Sequence, residues 1–189
     1  MLRKIAIYFS ILTLMVGILS ITGCSQKSVS DKAPNTSESS QKQSGSEKEI
    51  IVSIQTEKGE IVVSLRPDLM PITVDNFVGL VNKGFYNGLK FHRVEDWVIQ
   101  GGDPKGNGTG GSDKKINLET KPELKNVKYA VAMARSEDLN SASSQFYILK
   151  KDSSFLDGKY AVFGNVIKGK EVVDKITIGT KMTEVKVVK

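Results

Sequence analysis

The chain has 189 residues, of which 39% are hydrophobic and 25% charged, enough for one well-buried domain with appendages and too few for two ordinary ones. Its formal net charge is +6, with the lysines scattered and no arginine-rich block, which argues against nucleic acid as a partner. Cys24 is the only cysteine and His92 the only histidine, so neither an internal disulfide nor a His/Cys metal cluster can be assembled.

Residues 1–24 start with Arg3 and Lys4, run apolar from Ile5 to Ile21 and end in Thr22, Gly23 and Cys24, the layout of a secretory signal. The apolar run is also long enough for a marginal membrane-spanning helix. Small residues leading directly into the cysteine favour the first reading, because Ile21-Thr22-Gly23-Cys24 resembles a bacterial lipobox. That resemblance implies a lipoprotein signal peptide over 1–23, diacylglycerol on the Cys24 thiol and attachment to a membrane. Loss of Arg3 and Lys4 with the signal leaves a net charge of about +4. Under either reading the rest of the chain is expected to face outward. Residues 24–49 then carry the acylated cysteine and a stretch of Ser, Gln, Lys, Glu, Asn and Asp with almost no apolar residue. Such a segment buries too little surface to offset its ordering entropy, and a flexible coil of about 25 residues spans on the order of 25 to 30 Å. It reads as a tether.

From Ile50 the pattern changes to short β-rich runs separated by turn residues. Ile50 to Thr56 and Ile61 to Leu65 flank Lys58-Gly59, a hairpin signal. Pro71 suits the first turn of a helix, and Val74, Phe77, Val78 and Val81 recur at helical spacing until Gly84. Further strands are expected at Lys90 to Val94, Trp97 to Gly101, Tyr129 to Ala134, Gln145 to Leu149, Tyr160 to Val166 and Met182 to Val188, with a short second helix from Glu171 to Ile176. About eight strands with only two helices argue against a parallel βαβ sheet and for an antiparallel sheet closed on itself. The connections Asp103 to Lys128 and Ser136 to Ser144 are long enough to suggest function.

Several chemistries fall away. Gly106-Asn107-Gly108-Thr109-Gly110-Gly111 matches G-x-G-x-x-G in form, but Ser112-Asp113-Lys114-Lys115 follows with no apolar helical period, so it reads as an irregular Gly-rich loop. A Ser-His-Asp hydrolase would have to use His92, and no G-x-S-x-G elbow is present. His92 itself reads as a hydrogen-bonded structural residue.

Five segments remain: Phe91-His92-Arg93-Val94, Trp97 to Asp103, Ala132-Met133-Ala134, Ser144 to Ile148, and Phe155 to Gly164. In this order they resemble the cyclophilin family of peptidyl-prolyl cis-trans isomerases over roughly Ile50 to Lys189. The resemblance implies a mainly β domain, a closed eight-stranded antiparallel barrel capped by two helices. It implies no cofactor or metal, and as partners proline-containing unfolded or flexible polypeptides, here segments of exported proteins; a monomer is the default.

Rotation about an Xaa-Pro bond is opposed by amide resonance worth about 18–20 kcal/mol. A donor aimed at the nitrogen of the twisted amide stabilises it more than the planar form. Arg93, always charged and carrying a fork of donors, matches the catalytic position. By resemblance Trp97, Val98, Tyr147 and Leu156 line a proline pocket with Phe155 and Tyr160 at its rim. Gln100 bonds the substrate or orients the arginine, and Ala134, Arg135 and Gln145 lie along the peptide. Phe91, Met133, Phe146 and Phe163 read as core.

The turn Val94-Glu95-Asp96 is one residue shorter than in common members, so Trp97 and Val98 take the usual Phe and Met positions. Arg135 stands for a frequent Asn, adding a charge that suits acidic flanks in substrates. Phe155 stands for Trp and Tyr160 for His, and the lost indole donor implies weak cyclosporin binding. The competing reading is a cyclophilin-like module that holds proline peptides as a chaperone or scaffold with little turnover.

Overall fold

The computed structural model describes residues 49–189. The signal, Cys24 and nearly all of the expected tether lie outside the described residues. Strands β1 (Ile50–Thr56) and β2 (Gly59–Leu65) form the expected hairpin, closed by Thr56 Oγ1, which donates to the Gly59 carbonyl at 2.7 Å and accepts from Lys58 N at 3.0 Å. Helix α1 (Pro71–Asn82) begins on its proline and buries Thr73, Val74, Phe77 and Val81. No side chain of its own caps it. Glu119, arriving from the long loop, accepts from the N–H of Ile72 and Thr73 at 3.2 and 2.8 Å, a carboxylate at the positive end of the helix dipole.

The remaining elements are β3 (Arg93–Val94), β4 (Val98–Gly101), β5 (Ala130–Met133), β6 (Phe146–Leu149), a single 3-10 turn (Ser154–Leu156), β7 (Val162–Lys168), α2 (Lys170–Lys175) and β8 (Met182–Val187). They form one eight-stranded sheet in the order β3-β4-β6-β5-β7-β2-β1-β8, with every neighbouring pair antiparallel.

The sheet curls but stays open, which corrects the expectation of a closed barrel. Closure would require β3 to pair along β8, and β3 is only two residues long. The residues before it take another course: Gly88 and Phe91 donate to the carbonyls of Met182 and Thr180 at 2.7 and 2.9 Å, and Met182 and Gly179 donate back to Leu89 and Phe91 at 2.9 Å each. Only Lys90 and Lys181 face each other as a bridge. A loop-to-loop seam therefore stands where a strand ladder was expected, and the expected strand from Lys90 shrinks to Arg93–Val94.

Side-chain alternation along the central strands feeds two apolar clusters. Ile99, Val131, Met133, Phe146, Ile148 and Phe163 point into the main core with Phe77, Tyr86 and Phe91 from α1 and the loop after it. The alternate positions, Val98, Ala130, Ala132, Tyr147, Leu149 and Val162, join Leu156 in a smaller cluster on the opposite face. All eight residues of β5 and β6 are buried. This second cluster, absent from a plain sheet with one wet face, is the floor on which the candidate site is built.

Candidate active site

Register places the site. Arg93 on β3 faces Gln100 on β4, Gln100 faces Tyr147 on β6, and Tyr147 faces Ala132 on β5. Residues directly opposite in an antiparallel pair share a face, so this row lies on the side of the smaller cluster, with the polar groups at its β3 end and the apolar groups toward β5.

The polar groups are wired together. Arg93 donates from Nε to Glu95 Oε1 at 2.7 Å and from Nη1 to Gln100 Oε1 at 3.3 Å. Gln100 Nε2 donates to Gln145 Oε1 at 2.8 Å, and Gln145 Nε2 donates to the carbonyls of Gly108 and Gly110 at 3.0 and 2.7 Å. The Gly-rich loop is held from below by Asp103, whose buried carboxylate accepts from the N–H of Lys105, Asn107 and Gly108 at 2.8, 3.0 and 2.6 Å. Burial alone would raise the Asp103 pKa; these backbone donors outweigh it and hold the carboxyl below the usual carboxylate range. Gly110 packs so closely on this carboxylate that a Cβ there would collide with Asp103 Oδ1.

The indole of Trp97 packs under the guanidinium, with Arg93 Cζ 5.3 Å from the ring centroid, while its Nε1 donates to Glu95 Oε2 at 2.8 Å. Trp97, Val98, Ala134, Tyr147, Leu156 and Tyr160 then surround a cavity of about 190 Å³ that Arg93, Gln100 and Arg135 also border. That volume is below the roughly 300–1,000 Å³ of pockets for drug-sized ligands, and it suits one small ring. Tyr147 turns its hydroxyl away from the cavity and donates to Asn126 Oδ1 at 2.8 Å. Burial, then the nearby Tyr160 and Asp157, push its pKa up, so it stays neutral and presents a ring face.

The structure thus brings Arg93, Trp97, Val98, Gln100, Ala134, Arg135, Tyr147, Leu156 and Tyr160 to one cavity. Phe155 sits at the rim, 62% exposed, with its ring 5.8 Å from that of Trp97. Ala134 is fixed by its own N–H, which donates to the Gln145 carbonyl at 2.9 Å. Arg135 stacks on Tyr160, with Cζ 4.7 Å from the ring centroid, and donates to the carbonyls of Lys159, Ser136 and Glu137. Gln145 is set back, and together with Gln100, Gly110, Lys115, Arg135 and Ser143 it borders a second cavity of about 400 Å³.

His92 differs from the sequence expectation. Both of its ring nitrogens are buried without a hydrogen-bond partner among the described residues, and burial is the main cause that lowers its pKa, which favours a neutral ring packed against Gly108 of the Gly-rich loop. Three contributors escaped the sequence reading. Asn126 and Asp157 anchor the Tyr147 hydroxyl from behind, Asp157 Oδ1 accepting from Asn126 N at 2.8 Å and Nδ2 at 3.1 Å; Glu95 was visible only as part of a shortened turn.

Comparison with known proteins agrees with this geometry. Residues 51–189 match the family model described as cyclophilin type peptidyl-prolyl cis-trans isomerase/CLD. The chain is similar to peptidyl-prolyl cis-trans isomerase A of Dickeya dadantii, 43% identical over 136 residues that cover 67% of this chain and 70% of that one. It is likewise similar to a probable peptidyl-prolyl cis-trans isomerase of Brucella suis, 40% identical over 153 residues covering 73% and 76%. Among solved structures, a Cryptosporidium parvum cyclophilin-type isomerase crystallised in the presence of the dipeptide Ala-Pro superimposes with a TM-score of 0.69 at 28% identity, covering 74% of this chain and 99% of that one. The chain belongs to the cyclophilin-type peptidyl-prolyl cis-trans isomerase family.

Proposed function

We propose that this isomerase acts on proline-containing, unfolded or flexible segments of exported proteins, with Arg93 as its catalytic residue and the 190 Å³ cavity as the proline site. One observation carries the assignment. Arg93 commits Nε to Glu95 and Nη1 to Gln100, which leaves Nη2 without a partner among the described residues at the edge of a cavity that Val98, Tyr147 and Leu156 also line. A proline ring seated against Val98, Tyr147 and Leu156 would place its amide nitrogen toward that edge. As the amide twists, the nitrogen lone pair leaves conjugation and becomes an acceptor, and a charged donor held in advance stabilises that form selectively. Nothing in this step needs a nucleophile or a bond broken.

Isomerisation of an Ala-Pro peptide by the purified chain tests the assignment. Arg93→Ala should lower kcat/KM at least about tenfold, equivalent to about 1.4 kcal/mol of transition-state stabilisation. Unchanged turnover in the variant would overturn it, and peptide binding with no turnover in the parent chain would favour a holding module.

The setting is also part of the proposal. The basic start, apolar run and Thr22-Gly23-Cys24 order support a lipoprotein signal and a domain tethered at the outer side of a membrane. Cys24→Ala should then release the chain from membranes or block its processing, whereas unchanged retention would point to an uncleaved helix.

A further inference from the structure

We propose that Glu95 is a positioning residue for the isomerisation, a two-oxygen clamp that aims Arg93 and sets the Trp97 wall of the proline site at the same time. This rests on the assignment of Arg93 above. The turn that carries Glu95 is tight: Glu95 N–H donates to the Val98 carbonyl at 2.9 Å, which fixes the backbone between β3 and β4. From there the side chain takes one donor on each carboxylate oxygen, Arg93 Nε on Oε1 at 2.7 Å and Trp97 Nε1 on Oε2 at 2.8 Å. The guanidinium is then located by Glu95, by Gln100 Oε1 and by the indole face beneath it.

Stability is not what this clamp supplies. The side chains of Arg93 and Glu95 are 42% and 44% exposed, and an ion pair so exposed to water adds little to stability. Orientation is worth more, because a displacement of about 1 Å at a reacting group can cost on the order of 100-fold in rate. A carboxylate is also the group the geometry requires. Two donors converge on it, one on each oxygen; a glutamine puts an NH2, which only donates, in place of one of those oxygens, so in this geometry it can hold Arg93 or Trp97 but not both.

The charged groups around Glu95 are Arg93 across the turn, its neighbour Asp96, and Lys150 after β6, whose Nζ lies 3.4 Å from the Glu95 carbonyl oxygen. The bond from Arg93 and then that from Trp97 hold the Glu95 carboxyl below its ordinary range. The clamp is therefore closed at neutral pH and opens in acid.

Trp97 is the only tryptophan of the chain, so its fluorescence reads the clamp directly. The experiment compares the full chain with its Glu95→Gln, Glu95→Ala, Asp96→Asn and Arg93→Ala variants, measuring Ala-Pro peptide turnover and Trp97 emission against pH. Both Glu95 variants should fold normally, lose about tenfold in kcat and change KM far less. Trp97 emission of the parent chain should titrate in acid; the transition should persist in Asp96→Asn and vanish in Glu95→Gln. Parental kcat in Glu95→Gln, with Arg93→Ala inactive, would overturn the clamp and leave Arg93 standing. An acid transition of Trp97 that survives in Glu95→Gln would likewise overturn it. Parental turnover in Arg93→Ala would remove the assignment on which the clamp rests.

Discussion

Gln100 and Gln145 are joined side chain to side chain at 2.8 Å, and through them the Gly-rich loop is connected to the guanidinium of Arg93. Gln145 holds two loop carbonyls with its amide while its oxygen fixes Gln100, whose own oxygen faces Arg93 Nη1. Gln145→Ala removes the middle of this chain and frees both ends. The expected outcome is a fall of about three- to tenfold in kcat/KM for Ala-Pro peptides, with a thermal midpoint close to that of the parent chain. The peptide assay together with a thermal melt checks it.

Tyr147 provides a second test, this time of stability. Its ring lines the 190 Å³ cavity, but its hydroxyl satisfies Asn126 Oδ1, and Asn126 is 2% exposed. Tyr147→Phe keeps the ring and leaves that buried oxygen without its donor, at a cost of about 1–3 kcal/mol. Tyr160→Phe, altered at the mouth of the cavity, should stay within about 0.5 kcal/mol of the parent. Urea denaturation of the three proteins gives both differences.

Much of this arrangement could be read from the chain because alternation is a local property. Val98 and Gln100 stand two apart on β4 and Tyr147 stands alone between Phe146 and Ile148, so the face each would take followed once the strands were placed. The main helix was legible from Pro71, Val74, Phe77 and Val81 for the same reason. What could not be read depends on distant partners. Barrel closure turned on whether Lys90 meets β8 as a strand or as a bridge, and Gly88 to Phe91 carry no pattern that decides it. Asn126 sits in a long irregular connection, where no periodicity marks a buried polar residue. Glu95 was noticed for the length of its turn, because a side chain that bonds residues two before and two after it leaves no periodic trace.

Acid should weaken the Gly-rich loop through Asp103. Its folded pKa lies below the ordinary carboxylate value, so the charged form is favoured by folding. The resulting stability is fully present above the unfolded pKa of about 3.9 and is lost as pH falls through the lower folded value. Asp103→Asn should therefore be less stable than the parent at pH 7, and the gap should narrow as pH drops below about 4. Denaturation midpoints across pH 2 to 7, a range set by the ordinary carboxylate pKa, would show this convergence; a constant gap would count against it.

Arg135 bears on which peptides are preferred. Its Nε and Nη1 are occupied by backbone carbonyls, and among the described residues no carboxylate pairs with it. Its charge therefore remains uncompensated between the 190 Å³ and 400 Å³ cavities, with Lys115 on the border of the larger one. Neutral carbonyl partners hold the guanidinium in place without cancelling its field, so a peptide with a carboxylate beside its proline gains attraction and one with a lysine there loses it. The effect should be modest and weaken with salt, since both cavities are open to water. Peptides carrying Glu should show a kcat/KM about two- to fivefold above those carrying Lys at low ionic strength. Arg135→Ala should remove most of that difference between the Glu and Lys peptides, which a comparison of both with a neutral peptide on both proteins would decide.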